Sequence, residues 1–337
     1  MKQNVLLTGA TGFLGKYIIE ELKNKDYNII AIGRNEKIAR ERETENCKFY
    51  LKDFANKESI EEIFKIQKID IVLHCGALSS AWGKWEDFYK CNVLGTQNMA
   101  ELSLKYNVKR FIYISSPSIY SEKRNRQNIK EYEYDSKNTL NYYIKSKIMS
   151  EKIVEETNKK GLYTVTLRPR GLIGIGDPSL MPRIMKANEK IGIPLFNNGE
   201  NLVDITCVEN VAYACYLAMI SEDINGQVFN ITNGEPSVFK ELLQKFCDKS
   251  EMQPKFKKLP FNTMYLIASL LEIIYKTFKI NGEPVITKYT LCTLAFSQTL
   301  NIDNATEKLK YKPKLTLEEG IEKYGEWWKE NKKNKTL

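Results

Sequence analysis

The chain has 337 residues, with 51 Lys and Arg against 42 Asp and Glu, for a formal charge of +9. Hydrophobic residues make up 42% and charged residues 28%, which excludes intrinsic disorder and collagen-like or coiled-coil composition. At about 100–200 residues per domain, the length suggests two domains or one large domain with a cap.

The first half alternates strand and helix. Asn4–Thr8 reads as a buried strand running into Gly9-Ala10-Thr11-Gly12. Gly12–Lys23 is amphipathic, with Phe13, Leu14, Tyr17, Ile18 and Leu22 at helical spacing. Strands are expected at Asn28–Ile32, Cys47–Leu51, Asp70–His74, Arg110–Ser115 and Tyr163–Arg168. Helices are expected at Lys57–Lys65, Phe88–Tyr106 and Asn141–Lys159. Repeated β-α units predict a doubly wound parallel sheet with helices on both faces, an α/β Rossmann arrangement. Ser121–Asn138 is a polar loop. Later come a Gly- and Pro-rich stretch at Gly171–Pro178, a helix at Met181–Lys190 and a turn region at Pro194–Asn201. A helix at Val208–Ile220 and a strand at Gln227–Thr232 follow, then helices at Phe239–Lys249, Met264–Phe278 and Leu315–Lys329. We therefore divide the chain into residues 1–168 and a smaller, mostly helical lobe, 169–337, interleaved with the end of the sheet.

No stretch reads as a signal peptide, and no run of about 18 or more uncharged apolar residues exists, so a cytoplasmic protein without a membrane span is expected. The seven scattered cysteines show no Cys-x-x-Cys spacing, and His74 is the single histidine. Neither a disulfide framework, a zinc site nor a histidine-based triad fits that inventory, and no metal is expected. The dispersed lysines read as a solvated surface, not a nucleic-acid footprint.

Thr8-Gly9-Ala10-Thr11-Gly12-Phe13-Leu14-Gly15 has the form T-G-x-x-G-x-x-G between a strand and a helix. That context makes it a dinucleotide-binding turn. Gly9 permits the tight turn, Gly12 lets the backbone N–H groups approach a pyrophosphate, and Gly15 lets helix and strand pack closely. Phe13 and Leu14 belong to the same cofactor-binding turn. The second strand ends in Ile32-Gly33-Arg34-Asn35, where NAD sites place an acid. Arg34 suits a 2′-phosphate, so NADP(H) is preferred and NAD(H) is the alternative, with Glu36 as a displaced ribose acid.

Tyr143-Ile144-Lys145-Ser146-Lys147 contains Tyr-x-x-x-Lys, and positions i and i+4 share one helix face. A nearby ammonium should lower the phenol of Tyr143 from its usual value of about 10 and make it a usable acid–base group. Serine after the preceding strand, at Ser115-Ser116, could bond the carbonyl being reduced.

Together with Asp53, His74-Cys75-Gly76-Ala77, Asn92-Val93-Leu94-Gly95-Thr96 and Arg168-Pro169, these motifs stand in an order that resembles the extended short-chain dehydrogenases. This is the NAD-dependent epimerase/dehydratase superfamily, and the likeness covers nearly the whole chain. It implies that Asp53 and Phe54 lie at the adenine, and that Cys75, Gly76, Ala77 and Pro169 line the cofactor. It also implies a catalytic Ser116, Tyr143 and Lys147, with Tyr143 and Lys147 contacting the cofactor as well and Lys147 binding its ribose, and a structural role for His74. A homodimer through the helices Phe88–Tyr106 and Asn141–Lys159 is implied as well.

Arg168-Pro169-Arg170-Gly171 and Tyr120-Ser121 depart from the sugar-nucleotide pattern, and Val203 precedes Asp204 where that pattern has a basic residue. Leu78–Gly83 and Ser116–Tyr120 instead resemble the 3β-hydroxysteroid dehydrogenase-like branch, especially its 2-alkyl-3-oxoalkanoate reductases. The resemblance implies a small hydrophobic β-keto substrate, whose carboxylate Arg170 or Arg183 could pair. Met264–Phe278 is an ordinary buried helix, a lid over a long chain, or a peripheral membrane-touching face. The rival readings are a nucleotide-sugar epimerase or dehydratase and a non-catalytic dinucleotide sensor.

Overall fold

Strands β1 (Gln3–Thr8), β2 (Tyr27–Gly33), β3 (Cys47–Leu51), β4 (Ile71–His74) and β5 (Arg110–Ile114) form the first part of a parallel sheet. The computed structural model describes residues 2–335. Strands Thr164–Pro169 and Gln227–Ile231 complete seven strands, in the order Gln227–Ile231, Thr164–Pro169, β5, β4, β1, β2, β3. Side chains of period two feed both faces. Val5 and Leu7 join one buried cluster with Ile18 and Val211, while Leu6 joins another with Val72, Met99 and Phe111. Each such aliphatic side chain, fully withdrawn from water, contributes roughly 1.5–3 kcal/mol. The expected doubly wound architecture is therefore present.

The helices on these faces include α1 (Phe13–Leu22), α2 (Glu36–Arg42), α3 (Lys57–Ile66), α4 (Trp85–Phe88), α5 (Gly95–Lys105) and α6 (Tyr142–Lys159). The sequence predicts one helix over Phe88–Tyr106, and the backbone is helical without a gap from Trp85 to Lys105, though its hydrogen-bond spacing changes along the way. Tyr89–Leu94 is a π-helical turn between α4 and α5. The wider turn leaves the Asn92 carbonyl to accept from the hydroxyls of Thr96 (2.6 Å) and Ser150 (2.9 Å). The Ser121–Asn138 loop contains a strand, Arg126–Ile129, which pairs with Gln298–Leu300.

The C-terminal part is mostly helical, as expected, and also carries short strands that the sequence does not reveal. Its core (Met181, Leu195, Phe239, Phe246, Tyr324) lies among helices and short strands. Leu202–Val203, Ser237–Val238, Gln298–Leu300 and Arg126–Ile129 make a four-stranded sheet there. These strands have two to four residues, too few for alternation to show in sequence.

The apolar helix spans Phe261–Thr277 and is not an ordinary buried one. Leu266, Ile267, Leu270, Ile273 and Ile274 are exposed, and only Ala268 and Glu272 are buried. Among the described residues no helix is long and apolar enough to cross a membrane.

Candidate active site

The C-terminal ends of β1, β2, β4, β5 and Thr164–Pro169 meet at one edge of the sheet, where α/β folds bind ligands. Gly9 has φ +70°, and a Cβ there would lie 2.9 Å from Gly76 Cα and N. A Cβ on Gly15 would lie 2.4 Å from the Gly9 carbonyl oxygen. The turn between β1 and α1 thus needs glycine at both positions, as expected. Gly12 is the N-cap of α1 and offers no side chain to the first-turn N–H groups of Phe13 and Leu14. Those donors suit an anion at the positive end of the helix. Arg42 was not singled out from the sequence, yet its Nη1 donates to the carbonyls of Ala10 (2.7 Å) and Gly12 (2.8 Å). It braces the turn from the end of α2.

Arg34 is exposed at the end of β2, beside Asn35, whose side chain caps α2 through Ile38 N–H (3.1 Å). Glu36, the alternative ribose acid, is paired with Arg40 one turn along the helix. Asp53 uses Oδ1 to accept from Ala55 N–H at 3.0 Å. The Phe54 ring is buried, edge-on to His74 with centroids 5.3 Å apart. A Cβ on Gly76 or Gly95 would meet that ring at 2.4 or 2.5 Å. Phe54 therefore supports the Cys75–Ala77 segment from the core. Cys75 and Ala77 are half-buried beside Gly76, and Pro169 is buried at the end of its strand. Burial pushes the Cys75 thiol up to about 12, so it is no nucleophile.

His74 sits in a chain of hydrogen bonds. Gly76 N–H donates to Thr8 Oγ1 at 3.0 Å, and Thr8 Oγ1 lies 2.7 Å from His74 Nδ1. His74 Nε2 lies 3.1 Å from Thr96 Oγ1, whose proton goes to the Asn92 carbonyl. These partners assign a neutral ring protonated on Nε2. Burial first, and then the Lys147 charge, push its pKa down to about 3. The single histidine resonance should therefore hold its neutral position between about pH 8 and pH 5. A midpoint near the ordinary histidine value in an NMR titration would sink this assignment.

Asn141 caps α6 by accepting from Ile144 N–H at 2.8 Å, which fixes the first turn that carries Tyr143. Lys147 is buried one turn later and donates to Ile114 O (2.8 Å) and Tyr113 OH (3.2 Å). Burial lowers its pKa to about 8, against the opposing pull of Glu151. The Tyr143 phenol behaves differently from the expectation. Burial raises it, and the hydroxyls of Ser116 and Ser79 pull it back, with no contribution from Lys147. The reason is geometric: the ammonium is bonded to Tyr113 and Ile114. Ser116 also accepts from Ser118 N–H at 3.2 Å, and the Ser115 hydroxyl is buried with no partner among the described residues. The structure thus brings Ser116 to the Tyr143 hydroxyl and adds Ser79, which sequence reasoning did not single out, while the Lys147 ammonium, one turn along α6, is held at Tyr113 and Ile114. Asn92 holds Ser79's neighbour in place through Leu78 N–H (2.6 Å) and Leu78 O (3.0 Å).

Of the two arginines expected near substrate, Arg183 is exposed and paired with Glu283 at 3.0 Å, while Arg170 is buried. Trp82 packs edge-on against Tyr275 of the apolar helix, and Lys276 lies over the rings of Trp82 and Tyr142. The exposed apolar surface thus adjoins the start of α6.

Comparison with known proteins follows the same outline. An "Uncharacterized protein YbjS" of Escherichia coli is 33% identical over 338 residues, covering 98% of each chain. A "2-alkyl-3-oxoalkanoate reductase" of Stenotrophomonas maltophilia is 27% identical, covering 94% of this chain and 97% of that one. A UDP-glucose 4-epimerase of Thermotoga maritima shares the fold with a TM-score of 0.77 at 23% identity, covering 98% and 99%. The profile of the NAD dependent epimerase/dehydratase family matches residues 5–232. The chain belongs to this family, and is an NAD-dependent oxidoreductase-type enzyme of the extended short-chain dehydrogenase kind.

Proposed function

We infer that the protein interconverts a hydrophobic β-keto acid and its β-hydroxy form with NADP(H) as the preferred cofactor. The observation that carries this reading is the buried Tyr143 phenol facing Ser116 and Ser79. The turn fits a dinucleotide, because its glycines leave no room for a Cβ and α1 opens uncapped. Gly9, Gly12, Phe13, Leu14 and Gly15 would hold the pyrophosphate, Arg34 the 2′-phosphate and Asp53 the adenine. A nicotinamide held there supplies or accepts the hydride.

Tyr143 donates a proton to the carbonyl oxygen in reduction and takes it back in oxidation. Ser116 donates a hydrogen bond to the same oxygen and orients it. Lys147 uses two of its three donors on Tyr113 and Ile114. The third is available to a ribose hydroxyl, so Lys147 acts in holding the cofactor. The reductase named among the relatives and the apolar apron at Leu266–Ile274 support a greasy substrate.

The test is turnover of 2-alkyl-3-oxo acids of increasing chain length with NADPH. Each methylene buried is worth about 0.8 kcal/mol, so kcat/KM should climb roughly fourfold per carbon until the pocket is full. A flat response together with turnover of UDP-glucose would replace this reading with a nucleotide-sugar epimerase.

A further inference from the structure

Three cationic side chains are buried near the ends of the central strands, and two of them are satisfied. Arg168 donates to Glu151 through Nε (2.8 Å) and Nη2 (2.5 Å), and Lys147 is bonded to Tyr113 and Ile114. Arg170 is different. It is 7% exposed, and among the described residues its guanidinium makes no hydrogen bond and lies within 4 Å of no carboxylate.

Its backbone is held firmly. The N–H donates to Ile231 O at 3.0 Å, and the carbonyl accepts from Thr206 Oγ1. The ionisable groups that act on the guanidinium are Tyr289 and Asp204. Asp204 is engaged with Leu300 N–H at 2.6 Å and stands beyond ion-pair reach of Arg170. Tyr289 in turn faces Tyr143 and the Ser118 hydroxyl. Arg170 directly follows Pro169, at the C-terminal end of the Thr164–Pro169 strand and so at the sheet edge that carries the site.

A buried cation without a partner is costly to maintain, and the cost falls when an anion arrives. The guanidinium fork matches a carboxylate through two parallel N–H···O bonds. We propose that Arg170, flanked by Tyr289, is the anchor for a substrate carboxylate, so that the enzyme selects β-keto and β-hydroxy acids over neutral ketones and alcohols. This rests on the oxidoreductase reading above and adds the group that sets substrate class. The carboxylate of such an acid is fixed at Arg170 while its oxygen on the β-carbon meets Tyr143.

The experiment has two independent arms. In the first, oxidation of a 2-alkyl-3-hydroxy acid and of its methyl ester is compared in the wild type, Arg170→Gln and Arg170→Lys. The wild type should favour the acid by about 10²-fold in kcat/KM, with that ratio collapsing in Arg170→Gln and partly restored in Arg170→Lys. In the second arm, dodecanoate and dodecanol are titrated into the NADPH-loaded protein. Dodecanoate should bind the wild type at least about tenfold more tightly, and this margin should vanish in Arg170→Gln.

The melting temperature of Arg170→Gln should hold or rise, because an unpaired buried charge is removed; a structural role would lower it. If no ketone or alcohol is turned over but the dodecanoate margin depends on Arg170, the anchor stands and the oxidoreductase reading falls. The anchor is overturned if the margin survives Arg170→Gln. It is also overturned if the wild type does not distinguish acid from ester, or if UDP-glucose is the tighter Arg170-dependent ligand.

Discussion

Tyr143→Phe should lower kcat by roughly 10²–10⁴-fold while leaving the dissociation constant for NADPH nearly unchanged. The phenol oxygen is the group that faces Ser116 and Ser79, and a phenyl ring keeps the space that Tyr143 fills against Phe88, 6.4 Å between ring centroids. The substitution therefore removes a proton source without opening a cavity. The glycine turn and Lys147, proposed above to hold the cofactor, keep every atom in this variant. Steady-state kinetics paired with a fluorescence titration of NADPH separates the two effects. Near wild-type kcat would place the proton transfer on another group.

Arg34→Asp should reverse cofactor preference. A hydrogen bond to a charged group is worth about 1.5–3 kcal/mol. The variant loses one such bond to a 2′-phosphate and gains one to a 2′-hydroxyl, so the two terms act together on the ratio. The expected swing in Kd(NADH)/Kd(NADPH) is about 10²-fold or more. Glu36 does not replace the lost interaction in the wild type, because it is paired with Arg40. The ratio is measured by titrating both cofactors into both proteins. A wild type that already binds NADH more tightly would overturn the NADP assignment.

Much of this site is readable in sequence because it is local. Gly9, Gly12 and Gly15 declare a turn within seven residues, and Tyr143 and Lys147 share one turn of α6. Val208–Ile220 and Phe239–Lys249 carry enough turns for their periodicity to show, and their ends stand where the pattern puts them. What escaped is long-range. Arg42 reaches back 32 residues to Ala10, and Ser79 meets Tyr143 only once the β4 loop folds over α6. Spacing alone suggests that Lys147 acts on Tyr143. The competing claims of Tyr113 and Ile114 on its ammonium emerge only when β5 is set beside α6. The choice between Arg170 and Arg183 is of the same kind, since only the fold shows which has a partner.

The packing of Phe54 between Gly76 and Gly95 restricts the routes by which the chain can change. A methyl group on either glycine would collide with the ring. A side chain at either position therefore needs the Phe54 ring displaced or a smaller residue at position 54. The three positions act as one steric unit, so the effect of a substitution at 76 or 95 has meaning only when residue 54 is named with it.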